Sequence, residues 1–142
     1  YGHNRKNGGM FGKLSQYQEL RHMQENAVIQ WDTLQDDAAR NYVVFSVFDA
    51  SMLPGDHNYF FLRRFDTCRS GNVSKIQAFL EEIQERSLLN IPVEVRPQDR
   101  ILVLVTCSYA DPDGRLMVFF RALRENETEE DLQARVAQSA AH

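Results

Sequence analysis

Three side chains of this sequence could combine into a reaction centre: the thiol of Cys107, the imidazole of His3 and the guanidinium of Arg115. A thiolate attacks a carbonyl carbon, an imidazole passes the proton between nucleophile and leaving group, and a guanidinium stabilises the oxyanion that the attack creates. Each residue also has a plain structural alternative. A lone cysteine after an apolar run packs as a small hydrophobe, a loop histidine is solvated, and an arginine at the start of a strand pairs with a carboxylate. The combination is what favours chemistry.

The elements that must position these groups can be read around Cys107. The run IleLeuValLeuValThrCys ends at the thiol and reads as a buried strand over 100–107. AspProAspGly at 111–114 carries Asp, Pro and Gly at the positions a type I turn favours. A second strand over 115–123 then completes a hairpin, 100–123, with Cys107 and Arg115 at the same mouth. Arg121 lies about 20 Å further along at ~3.3 Å per residue and is no candidate. Ser108 and Tyr109, in the connecting loop, are placed to line a groove.

Elsewhere, residues 1–13 are rich in Gly and Asn and read as a loop that carries His3, with a short helix over Phe11 to Tyr17. AsnTyrValValPheSerValPheAsp at 41–49 reads as a strand, TyrPhePheLeu at 59–62 as another, and residues 51–58, with Pro54-Gly55, as a turn between them. Val73, Ile76, Phe79, Leu80 and Ile83 recur at helical spacing and predict a helix over 74–87, with Ser74 and Gln77 as a capping box and Gly71 as the breaker before it. Pro92 to Val95 alternates briefly. Thr128 with Asp131 predicts the start of a terminal amphipathic helix over 128–141.

The 142 residues suit a single domain with one core. With 43% hydrophobic and 25% charged residues the chain has globular composition. Its net charge of -4 is spread without a basic block, which argues against nucleic acid as a partner. No apolar run approaches the ~18 residues of a membrane span. Two cysteines are too few for a disulfide framework and neither sits in a CxxC pair, so neither a structural metal nor a Cys68–Cys107 disulfide is expected. Cys68 reads as a structural or surface thiol, and His22, His57 and His142 as solvated side chains.

Together these segments resemble a class B sortase. The likeness rests on YGHN at 1–4 followed by NGGMFGKL at 7–14, on LeuValThrCys at 104–107, on Arg115 after a seven-residue loop, and on the stretch from FLRRFD through the helix to RSLLNIPVEV and Asp99. The family's cysteine motif is Thr-Leu-x-Thr-Cys; Val103 replaces its first Thr, while Leu104, Thr106 and Cys107 match. Val105 fills the variable position that carries Ser in many class B members. The resemblance implies a cofactor-independent cysteine transpeptidase of the bacterial cell surface. Its substrate would be a sorting signal similar to Asn-Pro-x-Thr-x, and its second partner an amine of a cell-wall precursor.

Carried onto this sequence, Cys107 is the nucleophile, His3 the acid and base, and Arg115 the group that holds the substrate backbone and oxyanion. Leu104, Thr106, Ser108 and Tyr109 are the implied substrate contacts. The implied fold is mostly β with flanking helices, an eight-stranded β-barrel incomplete on its N-terminal side. The family's first strands and N-terminal helix precede YGHN. An exposed sheet edge is therefore expected, completed by an upstream segment or by a partner chain. That upstream part would also hold the anchor that places the enzyme on the extracellular face of the membrane.

Overall fold

The computed structural model describes Gly2, residues 11–34 and residues 38–142. Strands β1 (Val28–Trp31), β2 (Arg40–Ser51), β4 (Ile101–Cys107) and β5 (Gly114–Ala122) form one antiparallel sheet in the order β1-β2-β5-β4. A second, two-stranded sheet pairs β3 (Leu89–Asn90) with β6 (Ala140–Ala141). Helices α1 (Leu20–Glu25), α2 (Val73–Glu85) and α3 (Glu129–Val136) flank them. Among the described residues the four strands of this sheet do not close a barrel, and the sheet is an open part of one, as expected.

The two faces of the main sheet are set by the two-residue period of β5. Arg115, Met117, Phe119 and Arg121 share one face. Phe119 stacks on Phe48 at 5.4 Å between ring centroids and touches Phe45 and Phe65; Phe60 and, from α2, Phe79 extend the aromatic cluster. Each such pair adds about 0.5–1.5 kcal/mol beyond the area it buries. Leu116, Val118 and Phe120 take the other face, where Tyr17 meets Phe120 edge-on at 5.7 Å. Both faces are covered, so β5 is apolar and buried along almost its whole length.

Several local expectations are corrected. Residues 59–62 do not form a strand. Phe60 N–H donates to the Ser51 carbonyl (3.0 Å), Tyr59 forms an isolated bridge to Ser51, and the chain then coils into a 3-10 segment, Leu62–Arg69. With no partner beyond that bridge, the apolar run buries Phe60 and leaves Phe61 and Leu62 exposed.

Helix α2 starts one residue earlier than expected and is capped by Asn72, whose side chain accepts from Lys75 N–H at 3.1 Å. Ser74 thereby falls inside the first turn and does not cap. The segment after Phe11 forms a 3-10 turn at Leu14–Gln18, then α1 and β1, both too short to show a period in the sequence. The terminal helix is confined to Glu129–Val136. Its Thr128 hydroxyl accepts from Asp131 N–H (3.2 Å), and the residues after it extend to pair with Leu89 and Asn90.

Candidate active site

The hairpin of β4 and β5 carries the site. Its register pairs Ile101 with Arg121, Val103 with Phe119, Val105 with Met117 and Cys107 with Arg115. Direct partners in an antiparallel pair stand on the same face with Cβ atoms about 4.5–5.5 Å apart. The thiol and the guanidinium are therefore neighbours at the last rung, with Ala50 of β2 next in the row.

Beyond that rung the turn closes as its sequence predicts. Gly114 N–H donates to the Asp111 carbonyl (2.9 Å), Asp113 N–H to Asp111 Oδ1 (3.0 Å), and Ser108 N–H to the Gly114 carbonyl (3.0 Å). A Cβ on Gly114 would sit 3.0 Å from Asp111 and Ser108 atoms, which explains the glycine at the turn's end.

Cys107 and Arg115 are both half-buried at this open end. Arg115 Nη1 donates to the Gly114 carbonyl at 2.8 Å, which holds the side chain at the mouth while the guanidinium retains further N–H donors. Neither cysteine is in a disulfide, and Cys68 is exposed. His3 lies outside the described residues. Its neighbour Gly2 is described: its N–H donates to the Val105 carbonyl on the outer edge of β4 at 3.0 Å, two residues from Cys107.

The four expected substrate contacts divide by strand parity. Leu104 and Thr106 are buried, with Thr106 wholly inaccessible, and both point to the face opposite Cys107. Adjacent residues of a strand alternate between faces, so these two side chains lie on the buried Leu116 and Val118 face. Ser108 and Tyr109 line a cleft of about 270 Å³ together with Ser15, Gln18, Asp49 and Leu116, and Leu116 and Asp49 belong to the sheet face opposite Cys107. Gln18 and Asp49 carried no sequence signal. Gln18 Nε2 donates to Asp49 Oδ2, while Asp49 Oδ1 is buried without a hydrogen-bond partner among the described residues.

A second cleft, of about 260 Å³, is lined by Phe65, Cys68, Arg69, Ile101 and Val103, on the same face of β4 as Cys107. The remaining histidines stand apart from the site. His22 packs edge-on against Tyr17, and His57 is exposed. His142 Nδ1 lies 2.6 Å from the Ser87 carbonyl, a specific contact in place of the expected solvation alone. Among the described residues no cluster of His, Cys, Asp or Glu could hold a metal ion, and no helix is long and apolar enough to cross a membrane.

The fold that carries this rung is the one found in solved class B sortase structures. Sortase B from B. anthracis in complex with AAEK2 superposes with a TM-score of 0.67 over 89% of this chain and 52% of its own, at 28% identity. A Staphylococcus aureus sortase B-substrate complex gives a TM-score of 0.67 at 24% identity, over 89% of this chain and 54% of that one. Sortase B from Listeria monocytogenes gives 0.63 at 23% identity, over 87% and 61%. The chain thus has the class B sortase fold and spans about half to three fifths of the length of these neighbours. No protein-family model and no curated protein matches it.

Proposed function

We propose that the chain carries the catalytic half of a sortase-like cysteine transpeptidase that acts on a sorting signal similar to Asn-Pro-x-Thr-x at the extracellular face of a bacterial membrane. The observation that carries this reading is the direct cross-strand pairing of Cys107 with Arg115 at the open end of a sortase-type sheet. In the proposed reaction the Cys107 sulfur attacks the threonine carbonyl carbon. The oxyanion that forms is held by Arg115. The C–N bond then breaks, the departing amine takes a proton from His3, and the peptide remains as a thioester on the sulfur. A primary amine of a cell-wall precursor gives its proton to His3 and attacks the thioester. The C–S bond breaks and the new amide leaves.

Turnover of quenched Asn-Pro-x-Thr-x peptides, with and without an amine acceptor, tests the scheme. Cys107→Ala is expected to abolish turnover, His3→Ala to lower kcat by about 10²–10⁴, and acceptor to divert product from hydrolysis to amide. Undiminished turnover by Cys107→Ala would remove the mechanism. Methanethiosulfonate labelling separates it from an inert β-rich interaction domain: rapid labelling of Cys107 belongs to the enzyme, resistance to the inert domain.

A further inference from the structure

Gly2 makes a contact that no other residue type could make. It is buried, its N–H is bonded to the Val105 carbonyl at 3.0 Å, and the ring of Phe11 occupies the space where a side chain would begin. A Cβ built on Gly2 would fall 2.5 Å from Phe11 Cδ2 and 2.7 Å from Cγ, well inside contact distance. Relief is difficult, because Cγ is the root of the ring and Phe11 is packed against the core, its carbonyl accepting from Leu14 N–H (2.9 Å) at the start of the 3-10 turn. The ring and the strand edge therefore grip one backbone unit from two sides.

The sequence places His3 one peptide bond beyond that unit, and consecutive α-carbons are about 3.8 Å apart. Val105, which accepts the Gly2 bond, is two residues from Cys107 and on the same face. Whatever fixes Gly2 therefore fixes the backbone unit to which His3 is covalently joined. We infer that Gly2 and Phe11 form a clasp that positions His3 for proton transfer at Cys107, a positioning role that rests on the function proposed above. Phe11 touches no reacting atom in this scheme, and Gly2 contributes only backbone.

The experiment is a set of variants in the full-length protein: Gly2→Ala, Phe11→Ala, both together, and Gly2→Ala in a His3→Ala background. Gly2→Ala is expected to lower kcat by about 10²-fold with KM little changed, as an ångström-scale displacement of a catalytic group does. Removing the ring makes room for the methyl group, so the double variant is expected to be more active than Gly2→Ala, returning to the level of Phe11→Ala alone. In the His3→Ala background, Gly2→Ala is expected to change kcat less than about twofold, since there is no imidazole left to displace. Hydrogen exchange at the Gly2 amide is expected to be slow in the wild type and fast in Gly2→Ala, while methanethiosulfonate labelling of Cys107 stays unchanged in all variants.

An equal loss from Gly2→Ala with and without His3, no rescue by Phe11→Ala, or rapid exchange of the Gly2 amide in the wild type would each overturn the clasp. Failure of the function itself reads differently: a wild type whose turnover matches Cys107→Ala removes both proposals together, whereas Cys107-dependent turnover that Gly2→Ala leaves intact removes only this one.

Discussion

Arg115 and Arg121 stand on the same face of the same strand, and the protein treats them in opposite ways. Arg121 has no accessible surface. Its Nη1 and Nη2 donate to the two carboxylate oxygens of Glu127 at 2.7 and 2.9 Å, its Nε donates to the Glu94 carbonyl at 2.6 Å, and its Nη1 also reaches the Ala122 carbonyl. Asp99 stands 3.9 Å away and is itself gripped by Arg124 at 2.8 and 3.0 Å. Arg115 donates to one backbone carbonyl and is half-exposed at the mouth. A guanidinium whose fork is filled by protein carboxylates holds the fold together. One that donates to a single backbone carbonyl and is only half-buried keeps donors that a ligand could use.

The largest effect that would break this contrast lies at the filled end. Arg121→Met removes one partner of a buried pair and strands Glu127, so a loss of about 3–5 kcal/mol in unfolding free energy is expected by urea titration. Turnover per folded molecule should stay near wild type. Arg115→Ala is expected to do the reverse: kcat/KM for the peptide falls by about 10²–10³-fold, the cost typical of removing an oxyanion donor. Its midpoint in urea should hardly move. Should Arg115→Ala unfold the protein, or Arg121→Met spare it, the division of labour between the two arginines would have to be abandoned.

A pH titration sharpens the same comparison with a somewhat smaller effect. The hydrogen bonds from Arg121 hold the Glu127 carboxyl down at about 2, against an ordinary value of 4.5. A depressed folded pKa stabilises the folded state above the unfolded value and loses that contribution as pH falls through the folded one. Glu127 still touches solvent, which screens the pair, so about 2 kcal/mol is expected to disappear between pH ~4.5 and ~2. In Glu127→Gln this component of the acid dependence should be missing. A wild-type stability that is flat over that range would show that the pair is not closed in solution.

The smallest effect concerns Thr128, next to Glu127. Its hydroxyl caps α3, and Thr128→Ala is expected to cost about 1 kcal/mol. Peptide turnover should not change, because the end of the hairpin that carries Cys107 lies a full strand length away.

Much of the fold was legible because short-range rules sufficed for it. AspProAspGly carried its own turn, and once the hairpin was drawn its register followed, bringing residues 107 and 115 together. The helical period of Ile76, Phe79, Leu80 and Ile83 located α2 to within a residue or two. Strand parity was equally present in the sequence and puts Leu104 and Thr106 on the face opposite Cys107. Asp49 and Gln18 were not legible. They meet across 31 residues and gave no motif.

What the sequence determined by itself was the set of reactive types, their order in the chain and the hairpin that pairs two of them, all consequences of backbone periodicity and turn chemistry acting over a few residues. Tertiary structure alone decided that Phe11 presses Gly2 onto the edge of β4 and that Arg121 is sealed by Glu127. It also decided that a strand expected at 59–62 has almost nothing to pair with. These outcomes depend on which surfaces meet when distant segments pack, and steric exclusion and desolvation between such segments leave no periodic trace in either one.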